Sequence, residues 1–454
     1  MSNYRKNDLL KSFADETNFI EYLNSLNLRK VTISGKNNPV IKNGSFVKKI
    51  TNPEIKNLVM SNLRNFKSTS GTKISPKKAL IQNHKKLFTD SLFDFLENIE
   101  VDDSQDNINC SYFPFRNCLV KVGMAGITTI NYGDCEHIFW ESEVIPFNYI
   151  EDSSKSVFSK FIENICNNEH ERINAIGSAM GYLLHKYKDP SRPVAIILMD
   201  EKISNSPDGR TGKGIISKAV GQMRQSLIYD FKNTNMNDKF AFQSVDLNTD
   251  LIVFDDIRKG FRFDRLFSMI TEGMKSEQKY EHEVKLSYKN SPKILITTNF
   301  ALLGSGESAK DRQFIFELSD YYSATHKPID DFKERFFDEW DNAEHNRFFN
   351  FMLSCVRYYL SHGLVRYNYI NLEKKQLINA TSLEFSEFVE SNVKLGEKYS
   401  AQKLYTLYKS EYSADEHTTL IGFSKWFRSY AEIKQLNLKR IKSHGARYLI
   451  LSKN

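Results

Sequence analysis

Cysteine is scarce in this chain of 454 residues: there are five, and no two make a CxxC pair. That spacing excludes a zinc ribbon and a thioredoxin-type redox motif. Cys135 and His137 stand close together but lack the second pair that a tetrahedral zinc site needs. All five, with Cys110, Cys118, Cys166 and Cys355, read as free thiols of a reducing compartment. Long apolar runs are missing as well. None approaches the roughly 20 residues that span a bilayer. The opening MSNYRKNDLLKSFADE has charges where a signal peptide has its apolar centre, so a cytosolic protein without a membrane partner is expected. Neither sign of charge dominates: 63 Lys and Arg against 56 Asp and Glu leave a formal +7. Its distribution therefore matters more than its sum. Internal repeats and low-complexity tracts are absent, which excludes solenoids and disordered scaffolds.

What is present is the composition of a soluble globular protein, 40% hydrophobic and 26% charged, in a chain long enough for two to four domains. It is organised around PVAIILMDEKISNSPDGRTGKGIISKAV, residues 193–220. The apolar run Val194 to Met199 reads as a buried parallel strand, and an amphipathic segment begins after Lys213. Strand, glycine-rich loop, lysine and helix, in that order, cradle the phosphates of a nucleotide. Gly209, Arg210, Thr211, Gly212, Lys213 and Gly214 are the loop residues, and Lys213 is the point charge for the β/γ-phosphates. The full motif has Gly where this chain has Pro207, and Ser or Thr where it has Gly214. A flexible turn with a solvated lysine is the plainer alternative.

The later motifs weigh against that alternative. A second apolar run, Leu251 to Phe254, ends at Asp255-Asp256, and a third, Lys293 to Thr298, ends at Asn299. Apolar strands alternating with helical segments indicate a parallel sheet covered on both faces, with ligands beyond the carboxyl ends of its strands. Lys213, Asp255, Asp256 and Asn299 all fall at that edge. Asp255 is the expected Mg²⁺ ligand, Asp256 the polariser of an attacking water, and Asn299 an orienter of that water or a contact to the γ-phosphate. An N-capping acidic pair and a turn asparagine remain the alternatives. Arg312, in SAKDRQFIFEL before a strand Phe314 to Leu318, is a candidate arginine finger toward a neighbouring subunit, against an ordinary surface arginine. Between Asp256 and Asn299 a hairpin with Lys275, Lys279 and Lys285 is placed to touch DNA phosphates or to be merely solvated.

Around this centre, residues 1–107 read as an α+β region with a linker at Lys67 to Lys78, and Asp102 and Asp103 as loop residues. Residues 108–185 read as short strands (YFPF, CLVKV, ITTINY, HIFW, EVIPF) and then helix over 155–187. Residues 328–363 read as aromatic-rich helix ending at Gly363. The last segment is basic: Lys425, Arg428, Lys434, Lys439, Arg440, Lys442, Arg447 and Lys453 stand against Glu432 alone.

In combination, GRTGKG, LIVFDD, the segment after Glu272-Gly273, KILITTN and KDRQFIFEL resemble superfamily 3 helicases of the poxvirus and phage/plasmid primase-helicase type. The resemblance covers residues 108–365 and, more loosely, the ends. It implies an α/β fold with an AAA+-like P-loop ATPase core at 186–365, using ATP and Mg²⁺ and forming a ring, usually a hexamer, that encircles single-stranded DNA. On that analogy Lys213 binds phosphate, Asp255 and Asp256 handle metal and water, Asn299 senses the γ-phosphate, and Arg312 acts in trans. The hairpin would carry DNA through the ring. Residues 366–454 then read as a winged helix on duplex DNA, with Phe423 to Leu436 as recognition helix and Lys439 to Leu451 as wing; Lys425, Arg428, Lys442 and Arg447 are its contacts. Trp426 and Phe427 read as core. The first 107 residues carry no recognisable primase metal triad, so a primase or polymerase would be a separate partner. The expected setting is a phage, virus or plasmid-like element in a bacterial cytoplasm. The rival readings are an ATP-switched origin-binding initiator without processive unwinding and a DNA-binding scaffold with a degenerate phosphate loop.

Overall fold

The computed structural model describes residues 6–33, 35–64, 75–101, 106–203, 209–236, 238–277, 284–302, 307–412, 418–443 and 445–453. Asp102, Asp103, Pro207, Lys279 and most of the expected linker at Lys67 to Lys78 lie outside them. Contacts group the chain into two units, Met1–Glu151 with His282–Lys285, and Asp152–Glu281 with Leu286–Asn454.

The first unit is α+β. Helices Glu16–Ser25, Asn52–Arg64 and Pro76–Leu87 bury Phe19, Tyr22, Leu23, Ile55, Val59 and Leu80 in one core, because their apolar residues recur at helical spacing. Strands Leu28–Ile33, Lys36–Asn43, Phe46–Lys49 and Phe139–Trp140 form a four-stranded sheet, and Cys110–Pro114, Leu119–Gly123 and Gly126–Ile130 an antiparallel meander. The expected strand EVIPF does not form. Its start is a 3₁₀ turn, Glu141–Glu143, and its remainder makes a single bridge from Ile145 to Phe115.

The second unit is mixed α/β around a parallel sheet of five strands: β1 (Ala195–Asp200), β2 (Ser226–Asp230), β3 (Leu251–Ile257), β4 (Lys293–Thr298) and β5 (Gln313–Leu318). The spatial order is β5-β1-β4-β3-β2, every neighbour pair parallel. Strands β1, β4 and β5 are buried at every position, which is why most of their residues are apolar, with Asp200, Lys293 and Glu317 as buried charged exceptions. Edge strand β2, SLIYD, was not legible in the sequence: it is short, and its residues are half-buried or exposed. Strand β3 also differs from expectation. It continues through Asp255 and Asp256 to Ile257, with a register irregularity after Phe254 and Asp256 at φ 55°.

Helices α1 (Val157–Ile165) and α2 (His170–Leu184) replace the single helical stretch expected over 155–187; the break falls at Asn167 and Asn168, both at positive φ. Helix α3 (Lys213–Gly221) follows the glycine-rich loop. Of residues 328–363, only Pro328–Phe332 and α4 (Asn342–His362) are helical, the latter ending at Gly363 with φ 69°. Helix α2 packs on α4 through Gly181, where an added Cβ would come within 2.7 Å of the Tyr359 Cβ.

Beyond α4 come α5 (Leu372–Ala380), then helix Leu383–Asn392, strand Tyr399–Ser400, helix Ala401–Glu411, α6 (Leu420–Ile433) and strands Leu436–Ser443 and Ala446–Lys453. The three strands make an antiparallel sheet on a core of Phe385, Phe388, Tyr408, Phe423 and Phe427. Trp426 is half-buried, its ring 5.3 Å from that of Phe385.

Candidate functional site: the carboxyl edge of the parallel sheet

Strand order puts the carboxyl ends of β1, β4 and β3 side by side, so the segment from Gly209 to Lys213, Asn299 after β4 and the acidic pair on β3 lie at one edge. Such an edge is where open parallel sheets bind ligands.

The glycine-rich loop is held from below. Gly209 and Arg210 sit at φ 63° and 69°, and Gly212, the N-cap of α3, at φ 107°. A Cβ on Gly212 would lie 2.5 Å from the Phe161 ring, so the backbone rests on α1. Phe161 is fully buried and stacked on Tyr322 at 5.6 Å. Left-handed backbone turns its N–H groups to one side, where the N-terminus of α3 adds its positive end.

Lys213 does not reach into solvent. Its ammonium pairs with Asp200 at the end of β1 and donates to Asn299 Oδ1 at 2.8 Å, with Thr211 Oγ1 at 3.4 Å. Thr211 donates to the same Asp200 oxygen at 2.5 Å. The side chains of Lys213 and Asp200 are only 11% and 8% exposed. Lys213 and Asn299, far apart in sequence, are therefore in direct contact. Asp200 was absent from the expected set; its only sequence signal was an acid closing a buried strand.

On β3, Asp255 Oδ1 accepts from Thr297 Oγ1 at 2.6 Å, and Thr297 Oγ1 also accepts the Asp256 N–H at 2.9 Å. The Asp256 carboxylate turns the other way, pairing with exposed Lys232 after β2, whose ammonium it holds above the usual lysine range. The expected twin acids thus point to different partners. Among the described residues, no three carboxylate, histidine or cysteine groups form a metal cluster. One or two carboxylates suffice for Mg²⁺ when phosphate oxygens complete its shell, and Asp255 fits that use. Gly214 has open space where a side chain would start.

Arg312 stands elsewhere. It precedes β5 at the amino edge of the sheet, its carbonyl accepting the Ala195 N–H at 2.9 Å where β1 begins. Its guanidinium is held by Ser308, with the carbonyl at 2.8 Å, and lies 5.0 Å from the centre of the Phe267 ring. That edge is opposite the one carrying Lys213.

A second group of ionic side chains, none foreseen, lies just behind the site. Glu317 on β5 is fully buried and accepts the N–H groups of Ile370 at 2.6 Å and Asn371 at 2.9 Å. Burial pushes its carboxyl above the usual range, against the pull of those two donors and Lys375. Arg172 on α2, also buried, meets Glu201 at 2.9 Å and donates to the Glu317 carbonyl at 2.7 Å. Lys375 on α5 donates to the Asp200 carbonyl; burial holds its ammonium below the usual lysine range, opposed by Asp200 and Glu317.

Residues 205–312 match the family described as "Family of unknown function (DUF5906)". No curated protein matches the chain. Among solved structures it is similar to "The apo structure of NrS-1 C terminal region (305-718)", at 12% identity and TM-score 0.44, covering 99% of this chain and 100% of that one. It is also similar to "The A form apo structure of NrS-1 C terminal region-CTR", at 11% identity and TM-score 0.44, covering 95% and 98%.

The expected DNA contacts divide. The hairpin forms a two-stranded sheet, Gly273–Ser276 with Val284–Ser287, and Lys275 on it is exposed. Lys425 and Arg428 project from α6, and Lys442 and Arg447 are cross-strand partners beside the following turn, all four exposed. Lys434, within the stretch expected as recognition helix, is placed differently. It lies beyond the end of α6 and is tied to Glu373 at 2.6 Å, which raises its pKa. Among the described residues, no helix is long and apolar enough to cross a membrane.

Proposed function

We propose that this chain is an ATP-dependent DNA helicase motor of superfamily 3 type, acting as a ring in the replication of a phage, virus or plasmid-like element. The observation that carries the reading is the Lys213 ammonium, shared between Asp200 and Asn299 at the carboxyl edge of a β5-β1-β4-β3-β2 sheet, with Asp255 one strand away. In this mechanism the loop N–H groups and Lys213 hold the β- and γ-phosphates, and Lys213 exchanges the Asp200 carboxylate for phosphate oxygens. Asp255, fixed by Thr297, would hold Mg²⁺, whose charge would offset that of the phosphates. Asn299, already within hydrogen-bond reach of Lys213, orients the attacking water or reports on the γ-phosphate. Arg312, on the opposite edge, serves the nucleotide of a neighbouring subunit, which makes a ring the active form.

The C-terminal module is read as a winged helix. Its order of helix, short strand, two helices and a hairpin supports this, as do the exposed cations on α6 and the hairpin. Its role is to hold duplex DNA near an origin while the ring loads on a single strand.

A strand-displacement and ATPase assay with Lys213→Ala and Arg312→Ala tests the proposal. Each variant alone is expected to lose hydrolysis. Mixed together they regain part of it, since intact Lys213 and intact Arg312 then meet at some interfaces. Hydrolysis without unwinding would leave an ATP-driven switch, and no hydrolysis by the wild type would leave a DNA-binding scaffold.

A further inference from the structure

Helix α5 carries two sets of side chains, on two faces, that the mechanism above does not use. Successive helical residues turn by about 100°, so positions two apart lie on opposite faces and positions four apart on the same face. Lys375 and Asn379 make one face: Lys375 donates to the Asp200 carbonyl on β1, and Asn379 to the Ala301 carbonyl just after β4 at 2.5 Å. Glu373 and Leu377 make the other. Glu373 pairs with Lys434 at the end of α6, and Leu377 is buried in the core formed by Phe385, Phe423 and Phe427. At the start of the helix, Glu317 on β5 receives the Ile370 and Asn371 N–H groups, and Asn371 donates to the Glu201 carbonyl at 3.1 Å.

One helix thus bears on the carboxyl ends of β5, β1 and β4 with one face and on α6 with the other. Lys375 is a costly residue for that job. A buried ammonium loses hydration that a leucine of similar size would not lose. Here it is held by Asp200, the residue whose carboxylate pairs with Lys213.

We infer that α5 is the strut that couples phosphate binding at Lys213 to the DNA-facing surface of α6, with Lys375 and Asn379 as its positioning residues. The inference rests on the ATP-site reading above. When phosphate takes Lys213 from Asp200, the end of β1 must rearrange its charges, and Lys375 transmits that change into α5. Lys434 and the Leu377 contacts carry it on to the helix that bears Lys425 and Arg428. Coupling of this kind is reciprocal: nucleotide alters duplex affinity by the factor by which duplex alters nucleotide affinity.

The test uses the full chain, a fluorescent non-hydrolysable ATP analogue and a short duplex DNA, with each Kd measured in the presence and absence of the other ligand. The wild type is expected to show the same coupling factor both ways, about 5-fold or more. Lys375→Met and Asn379→Ala are expected to bring it toward unity while both ligands still bind, and Lys375→Arg to restore part of it. Glu373→Ala, at an exposed pair, reads the same linkage from the other face without threatening the fold. Equal Kd values with and without the second ligand in the wild type would overturn the inference and leave the ATP-site reading intact. So would undiminished coupling in both Lys375→Met and Asn379→Ala. Failure of the wild type to bind the analogue at all would overturn both.

Discussion

Gly212→Ala is the sharpest test of the proposed phosphate loop, because its effect comes from two separable sources. At φ 107° the backbone lies where a Cβ is disfavoured, at a cost of about 1–2 kcal/mol. The new methyl would also stand 2.5 Å from Cζ and 2.8 Å from Cε2 of Phe161. That ring cannot swing aside: it is fully buried, stacked on Tyr322 and set edge-on to Phe336 at 5.4 Å. Overpacking of this kind costs about 1–3 kcal/mol. The loop can escape the strain by leaving its nest, so the penalty falls on the binding-competent conformation rather than on the whole fold. A total of about 2–5 kcal/mol corresponds to a nucleotide affinity weakened roughly 30- to 4,000-fold. Gly209→Ala is the internal control. Its φ is 63° with nothing within 4 Å of the added carbon, so only the conformational part remains, roughly 5- to 30-fold. Titration of a fluorescent ATP analogue, with thermal melts to register any global loss, measures both. Gly212→Ala binding as tightly as wild type, or no more weakly than Gly209→Ala, would refute the role of Phe161 as the floor of the loop.

Gly214→Ser meets no steric obstacle and adds the hydroxyl that a phosphate-loop metal ligand usually supplies; Mg²⁺-dependent analogue binding should tighten, and an unchanged Mg²⁺ titration would count against a metal beside Gly214. Gly181→Ala drives a methyl into Tyr359 and the backbone of Cys355 at the α2–α4 crossing, and a loss of about 1–3 kcal/mol in urea unfolding is expected. Glu317→Gln turns an amide NH₂ toward one of two N–H donors, so a buried hydrogen bond is lost at about 1–3 kcal/mol, read by the same unfolding curve. His326 is held above its ordinary 6.5 by its 2.7 Å bond to Asp331 and by the Tyr321 carbonyl. Because the folded state binds that proton more tightly, the contribution is complete below about 6.5 and lost as pH rises through the raised value. A stability–pH profile should therefore fall more steeply above 6.5 for the wild type than for His326→Gln, and superimposable profiles would rule the pair out.

How much was legible follows from which signals are local. Strands β1, β4 and β5 are buried at every position, and their apolar stretches are what any window detects, while the burial of Asp200, Lys293 and Glu317 within them carries no such local signal. The start of α3 was marked by Gly212 and Lys213, since a left-handed N-cap asks for glycine. Strand β2 had no such run, and the extension of β3 through Asp255 and Asp256 depends on pairing with β2 and β4, which no window contains. The EVIPF segment shows the reverse error: β-favouring residues without a partner strand made only one bridge.

The amino-acid order by itself determined the alternation of strand and helix, the glycine loop before Lys213, the acids after LIVF and the basic character of the last segment, since each is a property of neighbours along the chain. Only the tertiary structure decided what those residues meet. It set Lys213 against Asp200 and Asn299, sent Asp255 to Thr297 and Asp256 to Lys232, and put Arg312 at the far edge of the sheet. It also tied Lys434 to Glu373 at the surface and laid α5 across three strand ends. The physical reason is strand order. A β5-β1-β4-β3-β2 sheet makes neighbours of segments far apart in the chain, and the charge on a buried side chain is balanced by whatever that order brings within reach.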